Sequence, residues 1–466
     1  MFKYLAKAEL TPTFTKSTIL LPHKGITVNS IDIYRLNARL MKSASKIEAN
    51  EFRATMMSFG VIFLLMVAYY ILRPVRDAMA SDWSDATVSA LWTFTFLFSF
   101  VATGIYGLAV SKVKLKYVVI SVYAFFAASF IAVYLLANSI EDSVLVNMTF
   151  YVWVSVFSLF QVSVFWSFMC DLYSKEQSTR LFGFITTGAS VGAIVGPAIP
   201  AIFAGTLGIS KLLLVGSLIL VMTIPAIMFL QTLKARDLGN ETQADATQMN
   251  RGLGGSALAG YKIFVQSPYL MAIGAFIFLY AGIGSFVYFE LKNLLAEFPI
   301  EKRTQIWALI DVATNSLTIV LGLFVTSRLT ERLGLAFTLA LIPIMVLTGL
   351  LTVAIIPLVW IVVGLQIFRR AGNYGVTRPA REMLFTVVNR ETRFKVKQVI
   401  DVVVYRGGDV FWGWSFTGLT AVVGLSLTAV ALVGAGVSAI WAVLGIYLGR
   451  HFSRREPLHA EQEHDI

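Results

Sequence analysis

The stretch MMSFGVIFLLMVAYYILRPVRDAMA at residues 56–80 decides the fold, because a long apolar run ends there in a cluster of charges. Residues 56–72 carry no charged side chain, and about 20 such residues in a helix cross the ~30 Å hydrocarbon core of a bilayer. Similar runs recur along the 466-residue chain, which is 57% hydrophobic and 14% charged, whereas soluble proteins carry about 25% charge. The pattern predicts an all-α membrane protein, since the short alternating segments of a transmembrane barrel are missing from the sequence.

The apolar runs predict twelve transmembrane helices in two six-helix bundles, separated by a polar, glycine-rich linker. The predicted divisions are a cytoplasmic segment 1–54, a first bundle 55–232, a linker 233–262, a second bundle 263–449 and a cytoplasmic tail 450–466. The predicted spans are 55–73, 86–110, 117–137, 144–169, 181–206, 212–232, 268–291, 305–327, 335–354, 357–377, 397–422 and 427–449.

The distribution of Lys and Arg predicts the orientation. With the N-terminus inside, 31 of the 38 basic residues face the cytoplasm, six face outside and Arg406 lies within a span. Both termini are therefore expected in the cytoplasm, and this topology explains much of the net charge of +11 without any nucleic-acid partner. Residues 1–50 are basic but lack the apolar core of a secretory signal. We expect an extension ahead of a start at Met41 rather than a transit peptide, and a bacterial inner membrane as the location.

Enzymatic and metal-binding functions find little support in the sequence. Cys170 is the single cysteine, the four histidines lie outside the predicted spans, and no zinc-ligand spacing is present. Neither a nucleophile–base arrangement nor a G-x-x-x-x-G-K-[ST] loop occurs, so a nucleotide would be cargo rather than fuel. We expect a monomer in the lipid bilayer with no cofactor and no metal.

Charged residues near or inside the spans mark the candidate site. A charge at the centre of a membrane helix costs ~2.5–3.5 kcal/mol, so such residues usually face a cavity or pair with each other. Arg73, Arg76 and Asp77 close the first span, where they either contact an anion, with Asp77 holding an arginine in place, or snorkel to water. Pro74 is expected to break the helix between them. The abundance of arginine indicates an anionic solute.

A second group of arginines lies at the end of span 10. Positive-inside topology accounts for part of the group Arg369, Arg370, Arg378 and Arg381. Because Arg378 and Arg381 are three residues apart, they share a helix face, and we favour them over the other two as anion ligands. Gly372, Asn373 and Gly375 indicate a loosened or kinked helix there.

Further candidates lie on spans 1, 7, 8 and 11. Asp311 in span 8 is expected to bind a proton or to neutralise an arginine. The i, i+3 spacing of Arg406 and Asp409 indicates an internal ion pair. Tyr69 and Tyr288 either stack on a ring of the solute or pack as interface aromatics.

The two halves of the chain are weakly similar to each other. YILRPVRDAM (70–79) ends span 1 as YFELKNLL (288–295) ends span 7, and CDLYSKEQSTRLF (170–182) follows span 4 as REMLFTVVNRETRF (381–394) follows span 10. Two parallel repeats are typical of major facilitator transporters, whose solute site lies between the halves. TSRLTERLG (326–334) is similar to the basic loop of that superfamily, and GAIVGP (192–197) to its glycine-proline motif. Residues 50–450 as a whole resemble it.

Within this superfamily the chain resembles the ATP/ADP translocase family of plastids and intracellular bacteria. The resemblance is carried by YILRPVRDAMA, FWSFMCDLYSKEQSTRLFG and RPAREMLFTVVNRETRFKVKQVIDVVVYRGGD. It implies exchange of ATP, ADP or a related nucleotide, and implies transport roles for Arg76, Asp171, Glu290 and Arg381. The family usually has lysine at the first and last of these positions, whereas arginine suits bidentate binding of phosphate or carboxylate.

These observations predict a secondary transporter that exchanges an anionic solute between its two bundles. The anion would bind between Arg76 and Arg378/Arg381. Exchange is expected because an empty carrier would leave an arginine unpaired and would be slow to reorient. The predicted solute contacts are Arg73, Arg76, Arg378, Arg381, Tyr69 and Tyr288. The predicted coupling or gating residues are Asp77, Asp171, Glu290, Asp311, Glu382, Asp401 and Asp409. The alternatives are a proton-coupled transporter of a non-nucleotide organic solute, with the proton on Asp311, Glu290 or Asp401, and a receptor that does not transport.

Overall fold

The computed structural model describes residues 47–113, 115–140, 144–238, 259–388, 392, 396–397 and 399–464. Within these ranges the chain is helical and contains no β-strand. Most of the predicted cytoplasmic segment 1–54 and most of the predicted linker 233–262 lie outside the described residues.

The described part of the first half contains five α-helices. They are α1 (Phe52–Met79), α2 (Asp85–Lys112), α3 (Leu115–Ser139), α4 (Val144–Leu172) and α5 (Lys175–Arg236). The 62-residue α5 is interrupted at Gly208, whose φ of 75° is available to glycine because it has no Cβ. This interruption separates the predicted spans 5 and 6, so α5 supplies two membrane crossings.

The described part of the second half contains eight α-helices, several of them short. They are α6 (Ala259–Gln266), α7 (Pro268–Leu295), α8 (Ile300–Phe324), α9 (Thr326–Ile355), α10 (Val359–Gly372), α11 (Arg378–Met383), α12 (Tyr405–Thr417) and α13 (Leu427–His464). In the described part of the chain, nine helices are individually long and apolar enough to cross a membrane. The second crossing of α5, together with α10 and α12, completes the predicted twelve.

Three π-helical turns account for the shortness of α10 and α12. They lie at Asn373–Thr377, Val399–Val404 and Gly418–Val422. The first follows α10 directly, at the place where the sequence predicted a loosened helix. A π-turn adds a residue to the helical repeat, so it changes which side chains share a face, and such turns are frequent at functional sites.

The expected break at Pro74 is not found. Helix α1 continues through Pro74 to Met79. A proline removes one backbone donor, but a membrane helix tolerates the loss where neighbouring groups satisfy the freed carbonyl. Arg73, Arg76 and Asp77 are therefore all helical, with Arg76 in the last turn, and their ion pairs account for them without snorkelling.

The two halves have separate hydrophobic cores. Buried side chains of α1, α3, α4 and α5 form one cluster. Buried side chains of the second half form the other, which also takes in Val88 and Leu91 of α2 and Tyr151 of α4. The halves therefore share apolar contacts where α1 joins α2, and this part of the molecule is called the α1–α2 end below.

Helices α1 and α5 are packed closely along a row of glycines. A Cβ on Gly188 would lie 2.6 Å from the carbonyl oxygen of Phe59, and one on Gly192 would lie 2.6 Å from that of Phe63. Gly196 continues the row at the same four-residue spacing. Small residues at this spacing let membrane helices approach until their backbones touch, as the glycine motif of the sequence predicted.

Polar contacts join the two halves at the α1–α2 end. Lys292 Nζ lies 3.0 Å from Asp85 Oδ1 and donates to the carbonyl oxygen of Trp83 at 2.7 Å. The side chains of Asn293 and Thr420 also donate to Asp85, each at 3.1 Å. A second ion pair joins Arg303 to Asp82. We call this set, Asp82, Asp85, Lys292, Asn293, Arg303 and Thr420, the cross-half cluster.

At the opposite end, where α4 joins α5, the ion pairs of the described residues stay within one half. Arg180 pairs with Glu51 at 2.7 Å, and Lys234 pairs with Asp171 at 2.9 Å, all in the first half. The Arg381–Asp401 pair, at 3.2 Å, lies in the second half. Among the described residues, the ion pairs that join the halves therefore lie at the α1–α2 end and at Arg73–Asp311.

The glycine row predicts a local loss of stability on substitution. Gly192→Ala should lower the melting temperature of the detergent-purified protein, because its methyl group meets backbone atoms that cannot rotate away; overpacking typically costs about 1–3 kcal/mol. Gly183→Ala on the same helix is the matched control, since no atom lies within 4 Å of its added Cβ. Equal melting temperatures for the two variants would contradict the close packing of α1 and α5.

The cross-half cluster predicts a conformational effect. Asp85→Asn should leave the buried Lys292 ammonium without its carboxylate and so favour separation of the halves at the α1–α2 end. Spin labels at positions 86 and 297, in a Cys170→Ala background, would show a longer distance distribution in Asp85→Asn than in the parent. An unchanged distribution would mean that the cluster does not hold this end closed.

Candidate functional site

A cavity of about 200 Å³ lies between the two halves, and its wall is rich in arginine and aromatic side chains. Helices α1, α2 and α4 of the first half and α7, α8, α10 and α12 of the second contribute to it. The charged lining residues are Arg73, Arg76, Asp77, Arg369, Arg370, Arg406 and Asp409. The aromatic lining residues are Trp92, Phe96, Tyr151, Tyr280, Tyr288, Trp307, Tyr374 and Tyr405.

Asp77 fixes the arginines of α1. Its Oδ1 accepts hydrogen bonds from Arg76 Nε at 3.0 Å and Nη2 at 2.6 Å, while Arg73 Nε lies 3.6 Å from its Oδ2. The remaining Arg76 nitrogen, Nη1, donates to Ser155 on α4 at 3.1 Å. The aspartate therefore holds Arg76 against the cavity wall, as the sequence predicted.

Asp311 is shared between arginines of the two halves. Its Oδ1 lies 2.6 Å from Arg370 Nη2 on α10 and 3.6 Å from Arg73 Nη1 on α1. The carboxylate is only 2% exposed, so it is shielded from solvent by the groups that it pairs with. Of the two roles that the sequence allowed, the geometry shows the one in which Asp311 neutralises an arginine.

Arg369 is held by neutral groups. Gln366 Oε1 accepts from its Nε at 3.2 Å and from its Nη2 at 2.8 Å, and the guanidinium lies over the ring of Tyr280, 5.7 Å from the centroid. Within the described ranges it has no ion pair with a carboxylate. The nearby Arg406 has one, since its Nη1 lies 3.8 Å from Asp409 Oδ2, which agrees with the predicted internal pair.

A chain of hydrogen bonds crosses the cavity wall from one half to the other. Trp92 Nε1 donates to the Tyr151 hydroxyl at 2.7 Å, the hydroxyls of Tyr151 and Tyr288 are 3.1 Å apart, and Tyr288 donates to Asp77 at 3.4 Å. Tyr288 therefore lines the cavity, as predicted for a solute contact. Tyr69 is not among the lining residues, because its ring packs on Tyr70 at 5.1 Å.

The predicted pair Arg378 and Arg381 does not line this cavity. The π-turn Asn373–Thr377 lies between α10 and these residues, so a face extrapolated with a regular α-helical repeat no longer applies. Arg369 and Arg370, which the sequence did not favour, line the cavity instead. The only sequence signal for them was the irregular run of small residues at 372–375.

Arg381 belongs to a separate ionic group at the α4–α5 end. It pairs with Glu382 at 2.9 Å and with Asp401 at 3.2 Å, and Lys397 also pairs with Glu382. Burial favours the neutral form of the Glu382 carboxyl, but hydrogen bonds from Lys397 and Arg381 outweigh it and hold its pKa below the usual value. These residues are placed to join elements of the second half rather than to meet a solute in the cavity.

Two further predicted residues lie away from the cavity. Asp171 pairs with Lys234 at the α4–α5 end. Glu290 is buried on α7, two residues before Lys292 of the cross-half cluster, and its Oε1 has no hydrogen-bond partner in the described chain. Both residues were predicted from the family resemblance, which carries no information on whether they reach the cavity.

Solved structures with the same fold come from transporters with different cargo. A bacterial homologue of the human lysosomal transporter Spinster has a TM-score of 0.58 at 13% identity, with 88% of this chain and 99% of the other covered. The nucleoside transporter NupG gives 0.58 at 11%, covering 86% and 99%. A bacterial homologue of the iron transporter ferroportin gives 0.60 at 13%, covering 85% and 99%.

Sequence comparison supplies the family. No curated protein matches the chain in sequence. Residues 58–383, more than half of the chain, match the sequence profile of the Major Facilitator Superfamily. Together with two bundles around a central polar cavity, this match shows that the chain is an integral multi-pass membrane protein belonging to the major facilitator superfamily of transporters.

Proposed function

We propose that this transporter carries an organic anion of the nucleotide class through the central cavity, by exchange. The observation that carries the proposal is Arg369, a buried guanidinium in the cavity wall that has hydrogen-bond and ring contacts but no carboxylate partner among the described residues. A buried charge without a counter-charge is costly, so an anionic solute is the natural partner. Arginine can also bind phosphate or carboxylate oxygens in pairs.

The aromatic lining supports a solute with a flat ring. Tyr280, Tyr288, Tyr405 and Trp92 surround the arginines and offer ring faces to a base. A nucleoside transporter is among the proteins of similar fold, together with transporters of other cargo. The sequence resemblance to ATP/ADP translocases points the same way, since Arg76, at a position where that family usually has lysine, lines the cavity.

The ion pairs suggest how the halves move. The cross-half cluster closes the α1–α2 end, which we place outside on the positive-inside rule, with both termini in the cytoplasm of a bacterial inner membrane. Arg73 of α1 reaches Asp311 of α8 across the cavity at 3.6 Å. An anion between the halves competes with Asp311 for Arg73 and Arg370. Solute binding is thereby linked to the contacts that set the separation of the two halves.

Exchange follows from the same charges. When the cavity is empty, Arg369 keeps an unpaired charge, and closing both ends over it would remove that charge from water. With a bound anion the charge is neutralised and the closed intermediate becomes accessible. Each chain contains a complete cavity, so we expect the monomer to be the functional unit.

A second candidate function is supported by Glu290. A buried carboxyl with an unpartnered oxygen can take up a proton, as a proton-coupled transporter requires. Under this alternative, a pH gradient alone drives uptake into empty proteoliposomes, and Glu290→Gln abolishes that response. Exchange instead requires solute inside and responds little to the gradient.

Uptake measurements test the leading proposal. Proteoliposomes containing unlabelled ADP should take up labelled ADP, and Arg369→Gln should reduce the rate at least about tenfold, since a charged hydrogen bond contributes about 1.5–3 kcal/mol. Arg328→Gln, an exposed arginine of α9, is the matched control and should transport normally. Wild-type exchange by Arg369→Gln, at normal expression, would contradict the proposed site.

Asp311 generates a separate prediction about folding. Asp311→Asn should leave Arg73 and Arg370 without their shared counter-ion and destabilise the protein by about 3–5 kcal/mol. Added anionic solute should restore more of the lost melting temperature in this variant than it adds to wild type. A melting temperature equal to that of wild type would show that the pairing is not stabilising.

A further inference from the structure

The charges around the cavity do not cancel. Among the described residues, five arginines face three aspartates when Asp311, which pairs with two of the lining arginines, is counted with the lining residues. With all of these groups ionised, positive charges exceed negative ones by two. Because the site lies between apolar cores, a negatively charged solute would be strongly favoured by this excess.

The distances show where the excess is located. Arg76 and Arg370 each have a carboxylate oxygen at 2.6 Å. Arg406 has Asp409 at 3.8 Å. Arg73 has only two contacts at 3.6 Å, both with carboxylates that already serve another arginine, and Arg369 has none among the described residues. The uncompensated charge therefore resides on Arg73 of the first half and Arg369 of the second.

From this imbalance we propose that the solute carries two negative charges, as a phosphate monoester does, and that Arg73 and Arg369 bind them from opposite walls of the cavity. The inference rests on the proposed function and narrows it. A dianion leaves the occupied cavity neutral, whereas the three or four charges of a nucleoside di- or triphosphate would leave it negative. A nucleoside monophosphate therefore fits the charge balance better than ADP or ATP.

Size and lining agree with a small solute that has a ring. The cavity volume of about 200 Å³ is below the ~300–1,000 Å³ common for drug-sized ligands. Tyr280 already lies against the Arg369 guanidinium, so a ring beside it would be next to a bound phosphate. A guanidinium can also donate two parallel hydrogen bonds to a phosphate group.

Binding of matched nucleotides to the purified full-length protein tests the charge. 5′-AMP and 3′,5′-cyclic AMP share base and sugar but carry two charges and one near pH 7.5. We expect AMP to bind at least tenfold more tightly than cyclic AMP, and more tightly than ADP or ATP. Affinity that rises steadily from AMP to ADP to ATP would overturn the dianion inference and leave the nucleotide proposal standing.

A non-nucleotide pair separates this failure from failure of the proposed function. If no adenine nucleotide binds, the nucleotide proposal falls, and ribose 5-phosphate is then compared with ribose, inorganic phosphate and succinate. Preference for the sugar phosphate would still support a phosphate-monoester dianion. Equal binding of ribose, preference for succinate, or binding of inorganic phosphate alone would overturn it.

Substitution and pH give two further readouts. Arg369→Gln should reduce the ratio of AMP to cyclic AMP affinity at least tenfold, whereas Arg328→Gln should leave the ratio unchanged.

The wild-type protein gives an answer even if the variant does not fold, because a phosphate monoester loses its second charge below a pKa of about 6. AMP affinity should then fall between pH 7 and 5 more than cyclic AMP affinity does, and equal pH profiles would contradict the inference.

Discussion

The carboxylate of Asp311, shared by Arg73 and Arg370, is the interaction on which the arrangement of the cavity depends. It is buried, it belongs to the second half, and one of its two arginines belongs to the first. Without it, two guanidinium groups would face each other across a region of low dielectric constant, and the halves would repel. With it, α1, α8 and α10 come together around the solute site. Asp77 has the corresponding role within α1, where it pairs with Arg73 and Arg76. In each half, some of the arginine charge is therefore neutralised by an aspartate and some is not.

The two ends of the molecule use charge in different ways. At the α1–α2 end, Asp85 accepts from Lys292, Asn293 and Thr420 and so joins the halves directly. At the α4–α5 end, Arg180 pairs with Glu51 and Arg381 pairs with Asp401, each within one half. Between them, the cavity holds an excess of positive charge. This division assigns closure to one set of residues and solute binding to another, and it explains why few of the charged residues near the spans serve both purposes.

The sequence predicted the fold well, because the length of an apolar run is a local property. The twelve crossings are present, including the pair separated by Gly208 in α5. The candidate site was predicted in part. Arg73, Arg76, Asp77, Tyr288 and Asp409 line the cavity, whereas Arg378 and Arg381 do not, because a π-turn that changes the helix face cannot be recognised from an i, i+3 spacing. The predicted helix break at Pro74 was wrong, since the ability of a membrane helix to continue through proline depends on neighbours that the local sequence does not specify.

The π-turn at Asn373–Thr377 also has a consequence for how this carrier can diversify. Residues after the turn are offset in phase from α10, and removing one residue from the turn would rotate everything beyond it by about 100° around the helix axis. Arg378 and Arg381 would then present different faces, while Arg369 and Arg370 before the turn would stay where they are. Changes in chain length of one residue, rather than exchanges of side chains, would therefore be an economical route by which related carriers alter the number of positive charges offered to their cargo.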